Sequence, residues 1–203
     1  MKRKSRNRKS WCWRLEWYCA MRLWVQHGYT DICVQGDSQL VSKQSCTIEF
    51  DGASKGNPGR SGAGVVLRDD SGKEVMRARE GLGSTTNNAA EYRALIRGMK
   101  TALDHGYTDV RVQGDSQLVS NQVNGKWKVK SPNLTQLYKD ATELKGQFQG
   151  FKMDHVPREY NSEADAQANR GVYLRDGQVE KEYIYSNDSE YGIYSGYDSS
   201  ESE

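Results

Sequence analysis

No run of apolar residues in this 203-residue chain approaches the roughly 18 needed to cross a bilayer, which excludes a membrane-spanning helix. Cysteine is missing from everything after residue 46. All four (Cys12, Cys19, Cys33, Cys46) precede that point, which excludes a secreted disulfide scaffold and indicates a reducing compartment. Apolar residues are scarce too, at 35% with a mean hydropathy of −0.89, so part of the chain is not expected to pack, and the ends are the candidates. Histidine numbers three, and His27 and His105 occupy the same repeated turn. That leaves no basis for a Ser-His-Asp or Cys-His nucleophile.

The formal net charge of +2 hides an asymmetry. Residues 1–26 hold eight Lys/Arg against the single acid Glu16, whereas residues 176–203 hold eight acids against Lys181. A basic head beside a folded unit fits an anionic partner such as nucleic acid, or it is a solvated tail. The opening MKRKSRNRK is too polar for a secretory signal core. It has the Lys/Arg density that nuclear import or phosphate binding uses, and an organelle presequence is the weaker reading because Trp11, Trp13, Trp17 and Trp24 crowd it.

Residues 27–44 repeat as residues 105–122 with three differences: Ile32/Val110, Cys33/Arg111 and Lys43/Asn121. One repeat at this spacing is not a solenoid; it reads as a partial duplication of a strand and the start of a helix. In it Asp37 repeats Asp115. The first copy lacks partners, because nothing before residue 27 resembles the DGASKGNPG of residues 51–59 and the position matching Glu91 is Trp13. The second copy is therefore expected to occupy the fold.

From residue 47 the pattern is regular. Ile48 and Phe50 alternate with polar neighbours, Ala63 to Leu67 precedes the turn Asp69-Asp70-Ser71-Gly72, and Glu74 to Arg79 follows, which predicts three antiparallel strands. Asn87 and Asn88 lead into a helix with Leu95, Met99, Ala102 and Leu103 on one face, ending at Gly106. Val110 and Val112 predict a strand up to Gly114-Asp115, and a short helix runs from Ser116 towards Gly125. Pro132 opens what the spacing predicts as the longest helix, with Leu134, Leu137, Tyr138, Ala141, Leu144 and Phe148 at steps of three and four. Phe151, Met153 and His155 alternate in a last strand, and Ser162 opens a final helix through Ala168. The order βββαβααβα predicts one α/β domain, a mixed sheet covered by helices.

Four carboxylates stand where elements end or begin: Asp51, Glu91, Asp115 and Asp165. Singly, such residues are turn formers or caps. If the first and fourth strands are neighbours, Asp51 and Asp115 meet at one sheet edge, with Glu91 and Asp165 brought over them by helices. Like charges at close range repel unless cations neutralise them, and an all-oxygen set suits Mg²⁺ or Mn²⁺.

At these residues the chain resembles type I ribonuclease H. The matching stretches are Phe50-Asp51-Gly52-Ala53-Ser54-Lys55-Gly56-Asn57-Pro58-Gly59, Thr85-Thr86-Asn87-Asn88-Ala89-Ala90-Glu91, Gly114-Asp115-Ser116-Gln117 and Asn161-Ser162-Glu163-Ala164-Asp165. They fall in order over about residues 47–171, and the wording HVPREYNSEADAQAN looks like the plant and archaeal-like branch. The resemblance implies a five-stranded mixed sheet flanked by helices and endonucleolytic cleavage of the RNA strand of an RNA·DNA hybrid. It implies Asp51, Glu91, Asp115 and Asp165 as catalytic residues and metal ligands for two Mg²⁺ ions (Mn²⁺ as the alternative). It also places Asn57, Asn88 and Gln117 along the hybrid's minor groove, where an amide can read a 2′-OH, and Asn57 and Thr86 at a DNA phosphate. The basic, aromatic-bearing Lys126-Trp127-Lys128-Val129-Lys130 is a candidate surface for the DNA strand, or a solvated loop.

Two departures from the family stand out. Many relatives carry a His on a long loop ahead of the last carboxylate; here the loop is short. His155 is read as structural, inside the last strand, with Arg158 or Glu159 nearer the site and Arg158 a candidate substrate contact. No aromatic hybrid-binding module precedes the domain, and the Trp- and Arg-rich head is a candidate substitute. The expected organisation is a basic extension over 1–46, a ribonuclease H-like domain over 47–175 and an acidic disordered tail over 176–203. The expected protein is an intracellular monomer, in the nucleus or an organelle (mitochondrion or chloroplast), with a hybrid and no membrane as partner. Two other readings compete: a silent nucleic-acid-binding module on the same fold, against which the four carboxylates argue, and a retroelement-derived ribonuclease H, which is expected to follow a polymerase segment.

Overall fold

The computed structural model describes residues 44–184. The basic head, the first copy of the repeat up to Lys43 with its Asp37, and the tail from Tyr185 lie outside the described residues. Within them the chain forms β1 (Ser45–Gly56), β2 (Gly59–Arg68), β3 (Glu74–Thr85), α1 (Asn87–Asp104), β4 (Asp109–Gly114), α2 (Gln117–Val123), α3 (Pro132–Lys145), β5 (Gly150–His155), α4 (Ser162–Gly171) and β6 (Val179–Tyr183). The sheet order is β5-β4-β1-β2-β3-β6. Strands β1, β2, β3 and β6 run as antiparallel neighbours, while β4 lies parallel to β1 and β5 parallel to β4.

Pleat alternation sends Cys46, Ile48 and Phe50 into the core on one face of β1, and α1 covers that face together with β2. Thr86 caps α1, its hydroxyl accepting from the Ala89 N–H at 3.4 Å, and Gly106 follows the helix at a φ of +77°. Helix α3 packs on α1, its Leu134 and Ala141 buried. The opposite face of the sheet takes α4. Contact there is made backbone to backbone, since a Cβ on Gly64 would stand 2.2 Å from the Ala164 carbonyl oxygen and from the Ala168 nitrogen. Burial pushes the Cys46 thiol up to about 12, so the one cysteine among the described residues is a core side chain rather than a reactive group.

Three expectations are corrected. The sheet has six strands instead of five, because residues 179–183, read as part of the acidic tail, pair with β3. Their sequence, VEKEY, has too little apolar alternation to announce a strand. What holds it is the β3 edge and charge, with Glu180 opposite Arg79 and ion-paired to it at 2.6 Å. At the other end β1 begins at Ser45, two residues inside the expected extension, because Ser45 and Cys46 pair with Asp109 and Val110. The longest helix is α1 with 18 residues, not α3 with 14; α3 stops at Lys145, and Phe148 packs into the core from the turn beyond. The second copy of the repeat supplies β4 and α2, so it occupies the sheet position beside β1.

Truncation after Asp176 should uncover the β3 edge and lower the melting temperature by about 5 °C or more, the shift expected for one to two kcal/mol in a domain of this size. Truncation after Ile184 should change it by less than about 2 °C. Thermal unfolding followed by circular dichroism decides, and equal melting temperatures for the two truncations would make β6 energetically irrelevant.

Candidate active site

Asp51 lies in β1 on the face opposite Ile48 and Phe50, and Asp115 directly follows β4. The parallel register pairs Glu49 with Gln113, and two further steps along both strands bring Asp51 level with Asp115. Glu91 arrives from α1. That helix rests on Gly52, where an added Cβ would stand 2.2 Å from the Glu91 nitrogen, and the Gly52 N–H donates to Glu91 Oε2 at 3.2 Å. One oxygen from each of Asp51, Glu91 and Asp115 lies within 4.8 Å of the others. Asp165, in the first turn of α4, stands outside that set. Its Oδ1 accepts from Arg158 at 2.5 Å and its Oδ2 from the Asn169 amide at 2.9 Å.

Asp51 and Glu91 are only 5% and 6% exposed, and both pay for ionisation. Burial, followed by the charge of Asp115 and a hydrogen bond with it, pushes Asp51 up to about 8, against a small opposing effect of Arg158. Burial, then the charges of Asp51 and Asp115, raises Glu91 well above the ordinary carboxylate range, and the Gly52 N–H opposes this. Among the described residues no Lys or Arg is ion-paired to Asp51, Glu91 or Asp115; Arg158 is spent on Asp165. Three converging oxygens with no lysine or arginine ion-paired to them among the described residues are the donor set a hard divalent cation fits.

Sequence reasoning missed the role of Asn161. It is fully buried, and its amide N–H donates to the Phe50 carbonyl at 2.9 Å and to Asp115 Oδ1 at 3.3 Å. It occupies the N-cap position of α4 without a side-chain capping bond, because the side chain turns to the sheet instead. Asn161 thus ties β1 and the Asp115 carboxylate to the start of α4. A polar residue just before a helix reads as a cap, and no local signal reveals a partner 111 positions away. His155 is the last residue of β5, exposed, with Nε2 3.2 Å from the Asp115 carbonyl oxygen. Arg158 lies in the single 3₁₀ turn Arg158–Tyr160 with Glu159 exposed beside it.

The remaining candidates divide. A groove of about 690 Å³ is lined by Asn57, Thr86, Asn88, Trp127 and the cations Lys126, Lys128 and Lys130. Asn57 Oδ1 accepts from the Asn87 N–H at 3.3 Å, so the β1–β2 turn is fastened to the start of α1. Trp127 is 48% exposed, and the groove floor is tied by a buried hydrogen bond of 2.8 Å from the Tyr92 hydroxyl to Gln122. Gln117 opens α2 just past Asp115 and is exposed, but it does not line this groove; nor does Arg158.

Residues 49–171, more than half of the chain, match the family model described as reverse transcriptase-like. A ribonuclease HI of Halobacterium salinarum is 43% identical over 123 residues, 61% of this chain and 62% of that protein. The crystal structure of RNase H1 from that archaeon superposes with a TM-score of 0.62 at 41% identity, covering 63% of this chain and 97% of the solved one. LC11-RNase H1, solved in complex with an RNA/DNA hybrid, gives 0.60 at 35% identity over 63% of this chain and 96% of that one. A bifunctional protein of Mycobacterium tuberculosis is 45% identical over 60% of this chain and 34% of its own length. This chain therefore spans less than two thirds of these two curated relatives.

A group whose folded-state pKa is raised favours folding below its unfolded value and loses that contribution as pH rises through the folded value. For Asp51 that window runs from about pH 4 to about pH 8, and Glu91, raised in the same direction, adds a loss of the same sign. In chelator the protein should therefore lose stability between about pH 4 and pH 8, on the order of a few kcal/mol, and Asp51→Asn should remove a large part of the loss. Adding a divalent cation at about pH 8 should raise the melting temperature of the parent more than that of the variant. Scanning calorimetry against pH and cation measures both, and a flat profile would mean the carboxylates do not repel as described.

Proposed function

The chain belongs to the ribonuclease H family, within the reverse transcriptase-like group, and from that premise we propose that it is a divalent-metal-dependent endonuclease hydrolysing the RNA strand of RNA·DNA hybrids. The observation that carries the proposal is the convergence of Asp51, Glu91 and Asp115 oxygens within 4.8 Å, with no lysine or arginine ion-paired to them among the described residues, together with a groove lined with amides, lysines and Trp127. Asp51, Glu91 and Asp115 would hold the metal, with Asp165 at the edge of the site; Mg²⁺ in two copies, with Mn²⁺ as the substitute, is the proposed complement. Bound there, such ions lower the pKa of an attacking water and stabilise the leaving oxygen of the phosphodiester.

The chain's own residues do the rest. Asn161 fixes the Asp115 carboxylate against β1, so that one oxygen is oriented before anything binds. Arg158 pairs with Asp165 and brings a positive charge close enough to lower Asp51, which suits it to meet an anionic backbone at the rim. Asn57 and Thr86 border the groove at the turn fastened to α1, a position suited to a DNA phosphate. The exposed amides of Asn88 and Gln117 can each donate to and accept from a ribose 2′-OH, which deoxyribose lacks. Trp127 offers a flat surface between lysines for the DNA strand.

A labelled RNA·DNA hybrid incubated with Mg²⁺ or with chelator, beside double-stranded RNA and DNA, tests the activity. Cleavage of the hybrid alone, and only with metal, is the expected result; equal cleavage of all three duplexes would overturn it. Asp51→Asn and Asp115→Asn should each lower hybrid cleavage at least about 10²- to 10³-fold while leaving the fold intact. Activity within a few fold of the parent in either variant would remove that carboxylate from the site. Asn88→Ala and Gln117→Ala should each cost about 0.5–1.5 kcal/mol in kcat/KM on hybrid, roughly 2- to 12-fold. Unchanged kinetics in the singles and the double would place ribose selectivity elsewhere.

A further inference from the structure

Beyond Asn57 the β1–β2 hairpin carries a charge arrangement that the proposed chemistry does not use. Lys55 and Arg60 are directly opposite each other across the hairpin, so both side chains leave the same face, and both are exposed. Like charges in that position destabilise a strand pair. Among the described residues neither is ion-paired to a carboxylate. Their partner is Tyr173, just past α4 and 65% exposed. The Lys55 ammonium bonds its hydroxyl and lies 4.2 Å from its ring centroid, while Arg60 Nη2 donates to its backbone carbonyl at 2.9 Å. Tyr173 is itself fixed by its neighbour Val172, which is buried where α4 ends against Gly62. The Lys55 hydrogen bond, then its charge, lowers the Tyr173 hydroxyl pKa.

The pair stands on the same face of β1 as Asp51, since residues 51, 53 and 55 alternate with the core-facing 48, 50 and 52. Four residues of strand separate Asp51 from Lys55 by about 13 Å, or about four base-pair steps of a nucleic-acid duplex measured along its axis. We propose that Lys55, Arg60 and Tyr173 form a second nucleic-acid contact, separate from the Trp127 groove, that grips the backbone of the cleaved RNA strand a few nucleotides from the carboxylates. The inference rests on the hybrid-nuclease reading. Two cations held on one face by a neutral aromatic group keep their charge available for phosphate, and the tyrosine restrains the lysine so that less freedom is lost on binding. The exposed ring also offers a face to an unpaired base at the end of a short duplex.

The test uses the full chain, with chelator present so that the hybrid is not cut, and fluorescence anisotropy on labelled RNA·DNA hybrids of about 20 and about 6 base pairs at salt concentrations from about 50 to about 200 mM. A Lys55→Gln/Arg60→Gln double variant should bind the longer hybrid more weakly, with a salt slope smaller in magnitude by about 1.8. Its disadvantage against the parent should therefore shrink about twelvefold across that salt range. On the shorter hybrid, which falls short of the pair when centred on the carboxylates and reaches it only when seated off centre, the two proteins should differ less. Lys55→Arg should retain parental affinity, and melting temperatures verify that each variant is folded. A parent that binds and cleaves hybrid, with a folded double variant of equal affinity and slope, overturns this contact and leaves the nuclease reading standing. A parent that neither binds nor cleaves hybrid overturns both.

Discussion

The parallel pairing of β1 with β4 is the constraint from which the site follows. Each strand ends its core-facing run at an aspartate, and only a parallel register sets Asp51 and Asp115 level at the same edge. An antiparallel pairing would send one of them to the far end of the sheet. Parallel neighbours cannot be joined by a tight turn, so the chain must cross over, and the crossover here contains β2, β3 and α1. Because α1 lies within it, Glu91 is delivered to the same edge as a consequence of the topology. Gly52 sets the height: with no side chain there, the helix settles until the Gly52 N–H meets Glu91.

That arrangement works against stability. Two nearly buried carboxylates with raised pKa values and a third beside them are ordinarily dismantled by a fold or neutralised by a lysine. Here the surrounding core is closely fitted at the points where the acids enter. Phe50 and Ile48 are fully buried, Gly114 leaves no room for a Cβ beside the Phe50 ring, and Asn161 is locked between the Phe50 carbonyl and Asp115. Rigidity therefore surrounds the acids, and their repulsion persists in the folded state. A softer core would let the carboxylates turn outward to water and the site would lose its preorganisation.

The sequence made this edge legible because each carboxylate sits where a periodic pattern breaks. Ile48 and Phe50 alternate up to Asp51, and Val110 and Val112 up to Asp115, so hydrophobicity marks where each apolar alternation stops, although β1, expected to end there, runs on to Gly56. Contacts made by polar side chains over long separations left no such trace. Strand β6 was hidden because its glutamates and lysine answer Arg79 and the β3 edge instead of a core. Asn161 drew no role of its own because chain proximity, not the sheet 111 residues earlier, is what a sequence displays. The repeat shows the same limit. Its two copies share the apolar positions that specify a strand, and one difference falls on Arg111, which in β4 pairs with Asp154 of β5 at 2.9 Å while Cys33 takes that position in the first copy. An exposed pair of that kind adds at most about 1 kcal/mol, so connection through the short turn from α1, more than pairing energy, accounts for the second copy standing beside β1.

Charge is graded along the face of β1 that carries the site. Glu49 is neutralised by Arg68, Asp51 has no ion-paired cation among the described residues, and Lys55 with Arg60 opposite it reverses the sign at the hairpin end. Over about 13 Å the charge along the hairpin changes from negative to positive. A polyanion approaching the carboxylates alone would be repelled, and the energy of overcoming that repulsion must come from elsewhere on the surface it touches. Cations at the tip of the same hairpin provide attraction at a fixed distance from the acids, through a stiff two-stranded ribbon fastened at Asn57 to α1 and at Arg60 to the end of α4. The residues proposed to hold metal and those proposed to bind the backbone thus stand on one hairpin, and a change of register in β1 would move Asp51 and Lys55 together.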